Sequence, residues 1–282
     1  MKIITEQSEL KKEIERLKSQ GRTLGLVPTM GALHAGHLSL VKRALDENDA
    51  LVVSIFVNPT QFNNPDDLVK YPRTLETDVA LLQTVSNDIL VYAPEVADIY
   101  GEDVTAVAYD FDGLEHKMEG QFRPGHFDGV GTIVKRLFEI ITPNHAYFGE
   151  KDFQQLAIIK KMVDKHNVPV NIVPCEILRE ENGLAMSSRN VRLKPEYADA
   201  APFIYQTLKT AKEKFGTERA NIVIEWVESQ FKSHPLLELE YFVIADIETL
   251  ETIAHKKENT LYRAFVAVYA DDIRLIDNIA LN

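Results

Sequence analysis

The segment LGLVPTMGALHAGH, residues 24–37, decides the fold. Its first part, Leu24–Pro28, is a short apolar run typical of a buried strand, and the residues after the loop predict a helix. In a doubly wound α/β fold, the loop after such a strand opens at the carboxyl edge of the sheet, where ligands bind. The helix that follows offers the N–H groups of its first turn to phosphate. The segment therefore predicts a phosphate-binding loop.

Two histidines end this segment, and their spacing of three residues places His34 and His37 on one face of the predicted helix. Both imidazoles could reach the phosphates of one nucleotide and stabilise the charge that develops as pyrophosphate leaves. Gly31 and Gly36 allow the backbone to approach a ligand closely. Two alternatives stay open: an ordinary glycine-containing turn, and a zinc site, for which the neighbouring sequence offers no obvious third ligand.

Further apolar runs alternate with segments of helical periodicity. We interpret five runs as buried strands: Leu24–Pro28, Leu51–Val57, Ile89–Ala93, Ala146–Phe148 and Val170–Pro174. The clearest helix has an apolar stripe from Val130 to Ile141, with Asp128 where it could cap the start. This order implies parallel strands joined by right-handed crossovers. The predicted fold class is α/β, with a doubly wound, Rossmann-like parallel sheet.

The pattern changes after about Cys175. A charged loop at Arg179–Gly183 precedes a helical pattern from Pro195 to about Lys232, and strand-like runs follow at Glu240–Ala245 and Phe265–Tyr269. We therefore expect two domains, a Rossmann-like domain at 1–177 and a smaller C-terminal α/β domain at 178–282.

The composition excludes several classes of protein. The longest apolar stretch, Ala50–Val57, is far shorter than the roughly 20 residues of a membrane-spanning helix. Met1–Lys18 lacks the continuous apolar region of a secretory signal, and the single cysteine, Cys175, suits core packing in a reducing compartment. We therefore expect a cytoplasmic protein. The net charge of −12 argues against a nucleic-acid partner, while a small anion in a local pocket stays possible.

Two other segments carry candidate binding residues. Met186–Asn190 offers hydroxyls and a guanidinium that could clamp phosphates, although such residues in a polar loop are often only solvated. In Gly149–Gln155, Lys151 could offer a mobile charge to a phosphate. Asp152 lies where a helix cap would, and an open alternative is that capping is its only role. Gln155 lies one helical turn from Lys151, and Gln61 follows the second predicted strand, so both are candidates for binding a polar substrate.

Taken in order, these segments resemble the pantothenate synthetase family. The resemblance covers nearly the whole chain and rests on Pro28–His37, Asn58–Phe62, Tyr71–Thr74, Arg123–Phe127, Gly149–Gln155, Met186–Asn190 and Arg274–Asn278. The pattern HxGH alone is shared with class I aminoacyl-tRNA synthetases and other nucleotidyltransferases. The resemblance implies an AMP-forming ligase that turns ATP and (R)-pantoate into an enzyme-bound pantoyl adenylate and pyrophosphate. The amine of β-alanine then attacks, giving pantothenate and AMP, and Mg²⁺ accompanies the ATP.

The resemblance also implies roles for individual residues. It gives catalytic roles to His34, His37 and Lys151, with His37 as the acid, and it places Gln61 and Gln155 on pantoate, with Gln61 near β-alanine as well. The residues that it places around ATP are Met30, Gly31, Ala32, Leu33, His34, Ala35, Gly36, His37, Gly149, Glu150, Lys151, Asp152, Leu178, Met186, Ser187, Ser188 and Arg189.

One feature departs from the family pattern. Some members carry two consecutive acids where this chain has Thr77 and Asp78, which weakens the case for Asp78 as a metal ligand. The resemblance further implies a homodimer formed through the first domain, and a second domain that closes over the ATP site.

Two rival functions use the same motifs. A tRNA-charging synthetase shares the ATP chemistry, but the chain shows no basic patch and no recognisable anticodon-binding module. A non-catalytic nucleotide sensor could keep the fold, but it would have no need to retain both histidines, Lys151 and the Ser187–Arg189 segment.

Overall fold

The structure is a computed structural model that describes residues 1–63 and 65–282. The chain divides into two compact units. The first contains Met1–Glu150 and Gln154–Glu176, and the second contains Lys151–Phe153 and Ile177–Asn282. The short segment Lys151–Phe153, which the sequence analysis placed within 1–177, is thus part of the second unit.

The first unit is built on strands and helices that alternate along the chain. In order they are β1 (Lys2–Ile4), α1 (Gln7–Ser19), β2 (Leu24–Thr29), α2 (Ala35–Glu47), β3 (Ala50–Ile55), α3 (Pro65–Lys70), α4 (Leu75–Gln83), β4 (Leu90–Tyr92), α5 (Val96–Tyr100), α6 (Glu119–Phe122), α7 (His126–Ile141), β5 (His145–Gly149), α8 (Phe153–His166) and β6 (Asn171–Cys175).

The six strands form one parallel sheet in the order β1-β4-β3-β2-β5-β6. From β2 the chain proceeds outward through β3 and β4, and then crosses to the other side of β2 to form β5 and β6. The loop after β2 therefore lies where the direction of strand addition reverses, which is the ligand-binding position in doubly wound folds. Strand β2 pairs with β3 from Leu24 to Thr29 but with β5 only at Gly25 and Leu26, so β2 and β5 separate toward their carboxyl ends.

The predicted α/β fold class is confirmed. The apolar stripe of α7 is buried along its length, including Val130, Leu137 and Ile141. The expected helix cap, however, was wrong. Helix α7 begins at His126 after Gly125 in a left-handed conformation, and Asp128 lies inside the first turn, where its carboxylate accepts the Tyr109 N–H at 3.0 Å.

The second unit is a smaller α/β arrangement. Its elements are α9 (Pro195–Ala200), α10 (Phe203–Thr217), α11 (Ala220–Lys232), β7 (Leu237–Asp246), β8 (Tyr262–Ala270) and β9 (Ile273–Ala280). The three strands form an antiparallel sheet in the order β7-β8-β9. Apolar residues spaced three or four apart on α10 and α11, such as Leu208, Phe215 and Val227, pack with the buried residues of these strands. Among the described residues, no helix combines the length and the apolar character that crossing a membrane requires.

Candidate active site

The loop between β2 and α2 has an unusual backbone. Gly31 has a φ of 85° and Ala32 a φ of 51°, so two consecutive residues adopt the left-handed region. Glycine takes this conformation readily, but alanine does so at a steric cost, so other contacts must hold the loop. A β-carbon at Gly31 would also lie 3.0 Å from a carboxylate oxygen of Asp78.

Asp78 provides the contacts that hold this loop. Asp78 is 2% exposed, and its carboxylate accepts the N–H groups of Ala32 at 3.0 Å and Leu33 at 2.8 Å, and the Thr74 hydroxyl at 3.3 Å. Hydrogen bonds from three donors compensate the cost of burying this charge. Both oxygens of Asp78 thus bind the loop, and no group of three or more His, Cys, Asp or Glu residues that could hold a metal is found within 1–63 and 65–282. The structure offers no support for the predicted metal role of Asp78.

The two histidines cap the start of α2. Nδ1 of His34 accepts the Gly36 N–H at 3.1 Å, and Nδ1 of His37 accepts the His34 N–H at 3.3 Å. The ring centroids are 4.1 Å apart. A neutral imidazole whose Nδ1 is an acceptor carries its proton on Nε2. The capping arrangement therefore makes Nε2 a hydrogen-bond donor in both rings.

Gln61 is fixed at the end of a 3-10 turn, Pro59–Gln61, in the first unit. Its buried amide donates to the Met30 sulfur at 3.0 Å and accepts from Asn58 Nδ2 at 3.2 Å. The backbone carbonyl of Gln61 lies 2.8 Å from Nδ1 of His126. Gln61, which the resemblance places on pantoate, is therefore in contact with Met30, which it places around ATP.

The turn that carries Gln61 is also packed tightly against α7. A β-carbon at Gly129 would come within 2.3 Å of the Thr60 carbonyl oxygen, so this position requires glycine. Asn58 Nδ2 donates to the Gly129 carbonyl at 3.1 Å. The sequence alone predicts no individual role for Asn58, His126 or Gly129, because each contacts the turn Pro59–Gln61 through an interaction that local patterns do not reveal.

Two adjacent glutamines on α8 have different environments. Gln154 is buried, and its amide donates to the carbonyls of Leu114 and Lys117 while accepting the Glu119 N–H. Gln155 is only half-buried. Gln154 therefore holds the residues around 114–119, and Gln155 is the one of the pair that suits a substrate.

In the second unit, the residues predicted around ATP form two groups. Leu178 and Met186 pair across the charged loop, because the Met186 N–H donates to the Leu178 carbonyl at 3.0 Å. Ser187 follows, and its hydroxyl accepts the Arg189 N–H at 3.2 Å, which orders the turn that contains Ser188.

The second group surrounds a small cavity inside the second unit. Lys151, Ser187 and Arg189 line it, together with Asn190 and Asp277. The Lys151 amine also lies 3.8 Å from the carboxylate of Asp152, which is half-exposed. Lys151 belongs to a single 3-10 turn, Glu150–Asp152, that follows Gly149 at the end of β5. The structure thus brings together three of the predicted phosphate-binding side chains of this unit.

A buried ion pair supports this cavity. Arg179 donates to both carboxylate oxygens of Asp277, at 2.6 and 3.0 Å, and its guanidinium lies 3.6 Å from the centre of the Tyr205 ring. Burial raises the pKa of Asp277, whereas the Arg179 guanidinium acts in the opposite direction. In the sequence, Arg274–Asn278 contributes only to the family resemblance, and no pattern predicts this pair.

The single cysteine, Cys175, has the environment of a core residue. The thiol is buried at the end of β6, and burial raises its pKa. A buried thiol of raised pKa is a poor nucleophile, so the predicted packing role fits the structure.

The fold and the histidine-capped helix define the class of protein. The chain is an α/β protein with a doubly wound parallel sheet, and its histidine-capped helix starts at the point where strand order reverses, the ligand-binding position of such folds. Comparison with known proteins then gives the family. The family model described as pantoate-beta-alanine ligase matches residues 2–280, and the chain belongs to this family.

Individual relatives agree along the full length. The pantothenate synthetase of Christiangramia forsetii is 56% identical over 282 residues, covering 100% of both chains, and that of Bacteroides fragilis is 48% identical over 279 residues, covering 99% of this chain and 98% of the relative. The crystal structure of pantothenate synthetase from Thermus thermophilus has a TM-score of 0.91 at 41% identity, covering 100% and 99% of the two chains. Pantoate-beta-alanine ligase from Francisella tularensis, complexed with beta-gamma ATP and beta-alanine, has a TM-score of 0.81 at 35% identity, covering 100% and 98%.

Proposed function

We infer that this protein is a pantoate–β-alanine ligase, which condenses (R)-pantoate with β-alanine at the expense of ATP. The products are pantothenate, AMP and diphosphate, and pantoyl adenylate is the intermediate. Beside the family membership, the observation that carries this inference is the pair of Nδ1-capped histidines at the start of α2.

In the first step, a carboxylate oxygen of pantoate attacks the α-phosphorus of ATP, and the bond between this phosphorus and the bridging oxygen to the β-phosphorus breaks. Negative charge accumulates on the departing diphosphate. The Nε2–H groups of His34 and His37 are donors suited to that charge, and they lie at the positive end of the α2 dipole. Because the loop is already held by Asp78, little reorganisation is needed when the charge develops.

The family resemblance gives His37 the role of an acid, and we propose a different role. An imidazolium that gives up its Nε2 proton must first carry a proton on Nδ1 as well. That proton would replace the hydrogen bond from the His34 N–H. We therefore propose that His37 acts as a neutral hydrogen-bond donor to the diphosphate.

We assign the remaining phosphate contacts to the second unit. Lys151, Ser187 and Arg189 share one cavity, and their ammonium, hydroxyl and guanidinium groups suit phosphate oxygens. The closure of residues 178–282 over the ATP site stays a prediction. Small-angle scattering with and without ATP tests it, because closure would reduce the radius of gyration.

The acid is proposed to bind through Gln61 and Gln155, whose amides can both donate and accept hydrogen bonds. In the second step, the neutral amine of β-alanine attacks the acyl carbon of the adenylate, and the bond from this carbon to the AMP oxygen breaks. The amine loses a proton to solvent as the amide forms. The position of Gln61, fixed by Asn58 and by the contact with Met30, suits a side chain that serves both steps.

Mg²⁺ is proposed to enter as part of the substrate, bound to the phosphates of ATP. The described residues offer no cluster of three metal-binding side chains, and the carboxylate of Asp78 is engaged by the loop. None of the steps above is routed through the ion.

We also propose that the protein is a homodimer. Residues 103–108 are exposed and lie outside the described strands and helices, and they include the half-exposed apolar side chains Val104 and Val107. The N–H groups of Val107 and Tyr109 donate to Thr132 and Asp128 on α7, which fixes one edge of this segment. Such a segment can pair with the same segment of a second copy. Light scattering after size-exclusion chromatography tests the stoichiometry.

The decisive experiment is exchange of labelled diphosphate into ATP. We expect exchange when (R)-pantoate is present and β-alanine is absent, because the first step is then reversible on its own. Exchange with an amino acid in place of pantoate would instead indicate a tRNA-charging activity. Exchange in the absence of any acid would contradict the assignment of pantoate as the substrate. If no acid supports exchange, the adenylate mechanism is wrong, and the nucleotide sensor becomes the better interpretation.

A further inference from the structure

We propose that Asn278 is a positioning residue for Lys151, an inference that rests on the proposed role of Lys151 at the phosphates. Asn278 lies on β9 and is 2% exposed. Its Nδ2 donates to the backbone carbonyl of Lys151 at 2.9 Å, across 127 residues of sequence. The bond fixes the backbone from which the lysine side chain extends.

The amide of Asn278 is held in the orientation that this bond requires. Its Oδ1 accepts from Nη1 of Arg263, and its backbone N–H donates to the carboxylate of Asp277 at 2.7 Å. An arginine can only donate, so the oxygen of the amide must face Arg263 and the nitrogen must face Lys151. Among residues of this size, only asparagine provides an acceptor for Arg263 and a donor for the Lys151 carbonyl.

A second set of contacts holds the same segment two residues later. The Arg263 guanidinium lies 4.2 Å from the centre of the Phe153 ring, and the rings of Phe153 and Phe265 are 5.8 Å apart. Lys151–Phe153 is therefore held at both of its ends, and Arg263 contacts both Asn278 and Phe153. This explains why these three residues belong to the second unit.

Fixing the backbone matters because of the chemistry of lysine. Its ammonium is a point charge on a flexible stem, so the position of the backbone limits the region that the amine can reach. In the structure the Lys151 side chain is only 17% exposed and lines the cavity with Ser187 and Arg189. Asn278 thereby presents the amine to the place where the other phosphate-binding groups lie.

The first test does not depend on activity. Asn278→Asp keeps the acceptor for Arg263 but has no donor for the Lys151 carbonyl, and Asn278→Ala is a second variant that adds no charge. We expect an amine-reactive probe to label Lys151 about fivefold faster in either variant, as the loss of one hydrogen bond predicts. Peptide mass spectrometry measures the labelling at each lysine.

A matched control exists in the same unit. Asn282 also donates from Nδ2 to a backbone carbonyl at 2.9 Å, but its acceptor is Thr260 rather than Lys151. Asn282→Ala should leave the labelling of Lys151 unchanged. Unchanged labelling of Lys151 in folded Asn278 variants, or an equal increase in Asn282→Ala, would overturn the proposal.

The second test separates positioning from general support. In the exchange assay, Lys151→Ala and Asn278→Ala should each reduce the rate, and the double variant should be no slower than Lys151→Ala. Losses that multiply in the double variant would show that Asn278 acts independently of Lys151 and would overturn the proposal. If the unmodified protein shows no exchange with pantoate, the proposed function fails, and the labelling still decides whether Asn278 positions Lys151.

Discussion

In the first unit a single buried carboxylate, that of Asp78, holds the loop after β2, whereas in the second unit several side-chain pairs hold the residues around Lys151. Asp78 binds two backbone N–H groups of a loop that lies 45 and 46 residues away in sequence. The Arg179–Asp277 pair and the Asn278–Lys151 bond join residues 98 and 127 positions apart. A parallel sheet brings its loops to one edge, while the second unit depends on contacts from β9.

In both units, the buried carboxylate that supports the site is neutralised or hydrogen-bonded by nearby groups. The negative charge of Asp78 is taken up by N–H groups, and that of Asp277 by Arg179. Both carboxylates are therefore paired within the protein. Arg179 forms the ion pair with Asp277, so Lys151 and Arg189 line the cavity without being the partners in that pair. The residues that hold each site are therefore distinct from those that we assign to ligands.

Removing the Asp277 carboxylate should give the largest effect, because Asp277→Ala leaves the largely buried Arg179 guanidinium without its partner. Breaking a buried pair in this way costs about 3–5 kcal/mol. We expect the free energy of unfolding of the second unit to fall by that amount. Trp226, the single tryptophan, lies on α11, so its fluorescence during urea unfolding gives the measurement.

The control for this change lies at the end of the same hairpin. Asp271→Asn removes a charge from an exposed contact with Lys194 and should leave the urea midpoint unchanged. If the two variants unfold at the same urea midpoint, the Arg179–Asp277 pair does not stabilise the second unit.

His37 tests the ligand-facing part of the first unit. His37→Ala should fold normally and lose about 10²–10³ in the rate of diphosphate exchange, as removal of one transition-state donor typically does. His37→Gln should lose less, because its amide nitrogen can replace Nε2–H as a donor. His116→Ala, which changes a histidine with a largely exposed side chain, is the control. Equal losses for alanine and glutamine at position 37 would instead favour the acid role.

Asp78→Asn tests how the first loop is held. One acceptor is lost and an amide N–H faces a backbone N–H, so a buried donor stays unpaired at a cost of about 1–3 kcal/mol. We expect a lower melting temperature together with a reduced exchange rate, because the histidines follow the displaced loop.

Asp98 provides the control for Asp78. Its carboxylate also accepts a backbone N–H, that of Gln7, and the hydroxyl of Tyr92, but it lies outside the β2–α2 loop. Asp98→Asn should therefore lower the melting temperature and leave the exchange rate per folded molecule unchanged. A reduced rate in both variants would mean that general loosening of the unit, not the loop, slows the reaction.

The sequence predicted those parts of the molecule that depend on neighbouring residues. Strand β2, its loop and α2 are contiguous, so apolar periodicity, two glycines and the HxGH spacing were enough to predict them. Strand β1 was missed because its three residues include the exposed Lys2 and Ile3 and show no apolar pattern. Strand β9 was missed because Asp277 and Asn278 interrupt its apolar residues with buried polar ones.

Partners that are distant in sequence could not be predicted. A carboxylate such as Asp78 suggests a metal ligand as readily as an acceptor for backbone N–H groups, and only the fold shows which donors it meets. The same holds for Arg179 and Asp277. No sequence pattern pairs these two charged residues, and they meet only because strand β9 brings Asp277 to Arg179. Sequence patterns therefore identify candidate ligand-binding residues better than they identify the residues that hold them.

The two glutamines at the start of α8 offer the smallest and most local test of this distinction. Gln155→Ala should raise the pantoate concentration needed for half-maximal exchange about fivefold, the effect of one lost hydrogen bond, and leave the ATP requirement nearly unchanged. Gln154→Ala should behave in the opposite way, because its amide binds the carbonyls of Leu114 and Lys117 inside the protein. We expect it to lower the melting temperature without changing the pantoate requirement of the folded protein. Steady-state exchange at varied pantoate, together with thermal unfolding, distinguishes the two variants. An unchanged pantoate requirement in Gln155→Ala would remove this residue from the proposed acid site while leaving the assignment of Gln61 intact.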